Sequence, residues 1–134
     1  VAQIAGLGQD EALGRARRYA AAGADAILIH SKQKTPDEIV AFVRAWDGDV
    51  PIVLVPTAYP DLTEARIREL GKVRLVIYGN HGVRAATKAL ADCFRQIRAE
   101  GGALGVEKTI APTERVFALQ GVAEMKREEE KYLR

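Results

Sequence analysis

The residues of this chain best suited to holding an anion fall in three short stretches: His30-Ser31-Lys32, Pro56-Thr57-Ala58-Tyr59 and Gly79-Asn80-His81. Imidazole, ammonium, hydroxyl and carboxamide groups all donate hydrogen bonds, and the stretches carry no Asp or Glu, the nearest being Asp61. Such a set fits a small anionic substrate of the phosphate or carboxylate type. Each residue also has a purely structural use. His30 could be satisfied by a backbone carbonyl, Lys32 could be solvated beside Lys34, Thr57 could cap a turn, and Asn80 or His81 could cap a helix.

These stretches occupy one recurring place in the pattern of the chain. Four short apolar or β-rich runs, Val1 to Ala5, Ala26 to Ile29, Ile52 to Val55 and Leu75 to Tyr78, are each followed by a helix-like segment. The helices are expected over Gln9 to Ala22, with Gly23 as the stop, from Thr35 to about Trp46, and over Leu62 to Leu70, with Gly71 as the stop. Thr35-Pro36-Asp37-Glu38 has the form of a capping box. A long helix is expected from about Val83 to Ala99, and two more over Thr113 to Leu119 and Ala123 to Leu133. Ile39, Phe42 and Trp46 are spaced as one core-facing helix stripe, and Leu90, Phe94 and Ile97 as another.

The strand ends, near Gly6, His30, Pro56 and Gly79, are 24, 26 and 23 residues apart. Strands apolar on both faces and joined by helix-length connections imply an α/β fold with a parallel sheet, whose ligands gather at the carboxyl ends of the strands. Eight units of about 25 residues give about 200 residues, the lower end of (β/α)8 TIM-type barrels. Four units are half of one. An open four-stranded sheet is the alternative, but Gly6-Leu7-Gly8 is followed by Glu11 where a dinucleotide fingerprint needs its third glycine. The expected organisation is therefore four β-α units over residues 1–100 and C-terminal helices over 101–134.

Composition narrows the function classes. The chain has 134 residues, 48% of them hydrophobic and 28% charged, with 20 Lys and Arg against 18 Asp and Glu for a net charge of +2. That is enough apolar material for one core, and it excludes a mainly disordered chain. No apolar run approaches the ~20 residues of a membrane span, so no membrane partner is expected. The basic residues are interleaved with acidic ones, which argues against nucleic acid. Cys93 is the one cysteine, leaving no intrachain disulfide and favouring a reducing, cytoplasmic setting. Val1 to Gly8 does not read as a signal peptide, and a sequence beginning at Val1 reads as truncated or incomplete.

Taken in order, Ile4-Ala5-Gly6-Leu7-Gly8, Ala22-Gly23-Ala24-Asp25-Ala26-Ile27-Leu28-Ile29-His30-Ser31-Lys32, Val55-Pro56-Thr57 and Ile77-Tyr78-Gly79-Asn80-His81 resemble the phosphoenolpyruvate mutase and phosphonopyruvate hydrolase branch of the isocitrate lyase superfamily. Leu119-Gln120-Gly121, Glu124-Met125 and Lys131-Tyr132-Leu133 are similar to that family's closing helices. The resemblance covers nearly the whole chain. It implies the C-terminal half of a (β/α)8 barrel whose last helix swaps onto a neighbouring subunit, and hence a homo-oligomer.

It also implies chemistry at the C–P bond of phosphonopyruvate. The mutases interconvert phosphoenolpyruvate and phosphonopyruvate, and the hydrolases release pyruvate and phosphate. His30 matches the family's phosphonyl-binding histidine and becomes the candidate catalytic residue, with His30, Ser31, Lys32, Thr57 and Asn80 as the candidate substrate-binding set. The implied cofactor is Mg²⁺. Its carboxylate ligands, the gating loop and the histidine's partner arginine would all precede Val1, so no metal ligand is assigned within this chain and it is expected to be inactive alone. Thr57-Ala58-Tyr59-Pro60, Leu62-Thr63-Glu64 and Tyr78-Gly79-Asn80-His81 look slightly closer to the hydrolase than to the mutases. The competing readings are a C–C lyase of the isocitrate or methylisocitrate type and a non-catalytic half-barrel.

Overall fold

The computed structural model describes residues 6–133. The expected first strand, Val1 to Ala5, lies outside the described residues. The chain divides into two compact units, Val1–Val83 and Arg84–Arg134.

In the first unit, α1 (Gly8–Ala21), β1 (Ile27–Ile29), α2 (Asp37–Ala45), β2 (Ile52–Leu54), a 3-10 turn (Pro56–Ala58), α3 (Glu64–Glu69) and β3 (Val73–Val76) alternate as the period requires. The helix α1 stops because Gly23 takes φ +98°, letting the Ala24 N–H reach back to the Tyr19 carbonyl at 3.0 Å. Left-handed backbone of this kind is open to glycine at little steric cost. At the start of α3, the Thr63 hydroxyl accepts from the Arg66 N–H.

The three strands are parallel and lie in sequence order, β1-β2-β3, with Ile27 opposite Ile52 and Ile52 opposite Val73. Parallel strands laid down in chain order through right-handed crossovers keep all their helices on one side. A doubly wound sheet reverses its order to place helices on both sides. The winding is therefore that of a barrel segment.

Burial agrees with that winding. Ile27, Ile29, Ile52 and Leu54 pack with Ala12, Leu13 and Ala16 of α1 and with Ile39, Phe42 and Val43 of α2 in one core. Trp46 follows the end of α2, is fully buried, stacks on Phe42 with 6.2 Å between ring centroids and donates its indole N–H to the Val50 carbonyl at 3.0 Å. Burying each such side chain contributes roughly 1.5–3 kcal/mol. The other face of the sheet differs from expectation. Leu28 and Leu75 are 44% and 54% exposed, because the strands are covered on their helix side only, and Leu28, Val53 and Leu75 form a row across the open face.

Two local expectations are corrected. The run expected at Leu75 to Tyr78 pairs as Val73–Val76, with the Ile77 N–H still bonded to the Leu54 carbonyl at 2.8 Å. Val73 pairs with Ile52 ahead of the expected run, and Arg74 is the extra residue at the register irregularity between Ile52 and Val53. The capping box does not close either. Pro36 occupies the cap of α2 without a side-chain bond, Thr35 donates to the Asp37 carboxylate at 2.9 Å, and Glu38 is engaged by Ser31.

The remaining helix of the sheet region, α4 (His81–Glu100), runs into the second unit, which also holds α5 (Thr113–Leu119) and α6 (Val122–Tyr132). Gly121, at φ +68°, makes the tight turn between α5 and α6 and offers its carbonyl to the Glu124 and Met125 N–H groups at 3.0 Å. The expected core stripe of α4 is not packed: Phe94 is 64% exposed and Leu90 is exposed as well. The helix has the right spacing for a buried face, but no described residue of α4 is buried.

Candidate functional site

A strand alternates its side chains, so His30 continues the face that carries Leu28, and Ser31 continues the face that carries Ile29. Leu28 is on the open side and Ile29 is buried under the helices. The sequence thus turns His30 toward the uncovered face at the carboxyl end of β1 and turns Ser31 toward α2.

The contacts follow this division. Ser31 is fully buried, donates its hydroxyl to the Glu38 carboxylate of α2 and accepts the Gln33 N–H at 3.0 Å. Its hydroxyl is engaged within the chain and is closed to solvent. His30 is half-buried, and its Nδ1 lies 3.2 Å from the Tyr59 hydroxyl. The two rings are tilted by 38°, with centroids 5.9 Å apart. Tyr59 closes the 3-10 turn after β2, donating its N–H to the Pro56 carbonyl at 3.2 Å. It is fully buried. Burial pushes its phenol up to about 12, opposed by a hydrogen bond from the Ser31 backbone.

Lys32 is exposed, Thr57 sits half-buried in the 3-10 turn, and Asn80 is exposed immediately before the first residue of α4. The described contacts bring His30, Ser31 and Tyr59 together and draw neither Lys32 nor Asn80 into that cluster. His81 meets Tyr78 edge to face at 5.5 Å. Two clefts of the first unit run along the outer edges of the sheet. One, of about 260 Å³, includes Ala12, Tyr19, Leu28 and Phe42. The other, of about 540 Å³, includes Ile67, Arg68, Val76 and Tyr78. Neither includes His30, so the strand-end donors lie outside both clefts.

Tyr59 lay in one of the anion-binding stretches but was given no role of its own, and Glu38 was not among the candidate residues. A buried tyrosine usually finds a partner for its hydroxyl, and that is the one signal the sequence offered for Tyr59. Glu38 was masked by its capping-box spacing.

Among the described residues no group of three or more His, Cys, Asp or Glu comes together. The donors at these strand ends are nitrogen and hydroxyl groups, whereas Mg²⁺ takes oxygen ligands and usually one or two carboxylates. These residues do not by themselves fit that ion. No described helix is long and apolar enough to cross a membrane.

Comparison with known proteins adds the following. The family model described as phosphoenolpyruvate phosphomutase matches residues 3–98. A phosphonopyruvate hydrolase from Variovorax sp. (strain Pal2) is 56% identical over 99% of this chain and 46% of its own length. A phosphoenolpyruvate phosphomutase from Tetrahymena pyriformis is 44% identical over 97% of this chain and 43% of its own length. A crystal structure of phosphonopyruvate hydrolase in complex with oxalate and Mg²⁺ superimposes with a TM-score of 0.94 at 56% identity, covering 99% of this chain and 47% of that one. The chain thus spans just under half the length of the curated relatives it matches. The α/β architecture corresponds to part of a barrel enzyme, as the period of the strand ends implied.

Proposed function

The chain belongs to the phosphoenolpyruvate phosphomutase family, and from that premise we propose that it forms the phosphonyl-binding side of an enzyme acting on the C–P bond of phosphonopyruvate. Hydrolysis to pyruvate and phosphate is the favoured reaction, supported by the 56% identity to the hydrolase against 44% to the mutase. The observation that carries this reading is His30, placed on the open sheet face at a strand end and backed by Tyr59. Phosphonopyruvate is a small anion, and imidazole N–H donation to a phosphonyl oxygen is a charge-assisted hydrogen bond. Thr57 and Asn80, on the turns after β2 and β3, and Lys32 beside His30 are proposed as further donors to the substrate. Ser31 contributes by holding the loop.

Mg²⁺, present in the solved hydrolase complex, is proposed as the cofactor of the intact enzyme, where it would polarise substrate oxygens. The carboxylates for it come from outside the described residues. This chain alone supplies one side of the site and is proposed to be inactive by itself. A cytoplasmic homo-oligomer is proposed too, with the C-terminal helices packed on a partner subunit, supported by the exposed Phe117, Leu119, Met125 and Leu133 of the second unit.

The test is an assay of the intact enzyme carrying this segment. His30→Ala is expected to lower kcat/KM for phosphonopyruvate about 100-fold or more, as loss of a donor to developing charge does. An unchanged value would overturn the assignment. Release of pyruvate and phosphate marks the hydrolase and formation of phosphoenolpyruvate marks the mutase, while turnover of 2-methylisocitrate without phosphonopyruvate would establish a C–C lyase instead.

A further inference from the structure

A fully buried phenol must place its proton on an acceptor, since a buried donor left unmade costs about 1–3 kcal/mol. Among the described hydrogen bonds, the side-chain partner of the Tyr59 hydroxyl is His30 Nδ1, at 3.2 Å. A neutral imidazole has one nitrogen that donates and one that accepts, and the partner of one fixes the role of the other. If Nδ1 accepts from Tyr59, the proton sits on Nε2.

We propose that Tyr59 is a positioning residue that donates its hydroxyl proton to His30 Nδ1 and so locks the ring in the Nε2–H tautomer, leaving that N–H for a phosphonyl oxygen. This rests on the reading of His30 as a phosphonyl ligand, but the tautomer can be tested without substrate. The opposite tautomer would put an N–H on Nδ1, leave the buried Tyr59 hydrogen without an acceptor, and present a lone pair to an anion. The turn geometry serves the same end. The 3-10 turn after Pro56 places Tyr59 under the end of the neighbouring strand, so a residue 29 positions downstream sets the ring orientation. Ser31 supports the pair from the helix side: its bonds to Glu38 and Gln33 fix the loop that directly follows His30.

The experiment is nitrogen-15 NMR of the histidine side chains in the intact enzyme, wild type and Tyr59→Phe, together with steady-state kinetics. The expected wild-type result is an unprotonated Nδ1 and a protonated Nε2 for His30. Tyr59→Phe is expected to give a mixture of tautomers and to lower kcat/KM for phosphonopyruvate about tenfold or more, with a changed pH profile. A wild-type His30 protonated on Nδ1 overturns the proposal, and so does a Tyr59→Phe variant with unchanged tautomer. The wild-type measurement decides even if the variant fails to fold. An enzyme with the expected tautomers but no turnover of phosphonopyruvate would instead refute the proposed function and leave the positioning of the ring standing.

Discussion

Ser31 donates its hydroxyl to Glu38, joining the loop after β1 to the first turn of α2. Seven residues apart in sequence, the two hold the strand end against the helix layer while His30 faces the open side. Ser31→Ala removes both the bond to Glu38 and the acceptor for the Gln33 N–H. It is expected to lower stability by about 1–3 kcal/mol, measured as a reduced urea midpoint. A variant with unchanged stability and a raised KM would show that Ser31 serves the substrate directly.

The turn between α2 and β2 wraps over the Trp46 indole. A Cβ built on Gly48 would come within 2.3 Å of the indole ring carbon Cζ2, and the ring cannot retreat because it is buried against Phe42 and tied to the Val50 carbonyl. Gly48→Ala is therefore expected to destabilise by about 1–3 kcal/mol through overpacking. Gly14, with open space around its Cβ position, is the control: Gly14→Ala in the interior of α1 should be neutral or mildly stabilising in the same denaturation experiment.

The sequence made the repeat legible because apolar strands and Gly-terminated helices are local signals: Gly23 and Gly71 stop their helices, and α5 over Thr113–Leu119 has the expected bounds. What it could not show depends on contacts distant along the chain. The spacing of Leu90, Phe94 and Ile97 states that α4 has an apolar face, but not whether anything packs on it. For the site, His30 was visible from its place after a strand, whereas Tyr59 as its partner required knowing that the 3-10 turn of one unit reaches the strand end of another. The Thr35 to Glu38 pattern misled for the same reason, since a tertiary bond to Ser31 claimed the glutamate that local spacing assigned to a cap.

Arg17 of α1 grips Asp47 beyond α2 with two bonds, 2.9 Å from Nε and 3.1 Å from Nη2. The hydrogen bond from this guanidinium holds the Asp47 carboxyl below its ordinary value of 3.8. A depressed carboxylate contributes stability that is present above its unfolded value and is lost as the pH falls through its folded one. Asp47→Asn should thus reduce stability slightly at neutral pH and low salt, and the difference from wild type should vanish in strong acid. Because the pair is exposed, 1 M salt should also erase the difference. Thermal melts at pH 7 and in acid, each with and without salt, check the prediction.

Tyr59 makes the opposite prediction at the alkaline end. Its phenol is pushed from 10.0 to about 12 by burial, so between those values the unfolded chain loses a proton that the folded chain keeps. The folded state then binds more protons, and stability must fall as pH rises. The contribution is fully present below pH 10 and disappears as the pH passes through about 12, an effect on the order of 2 kcal/mol for a shift of this size. Urea unfolding of wild type and Tyr59→Phe from pH 9 to 12 should give stability curves that converge with rising pH, because phenylalanine has no proton to lose. Parallel curves would mean that the Tyr59 hydroxyl ionises as readily in the fold as in water, which is incompatible with its enclosure between His30 and Ser31.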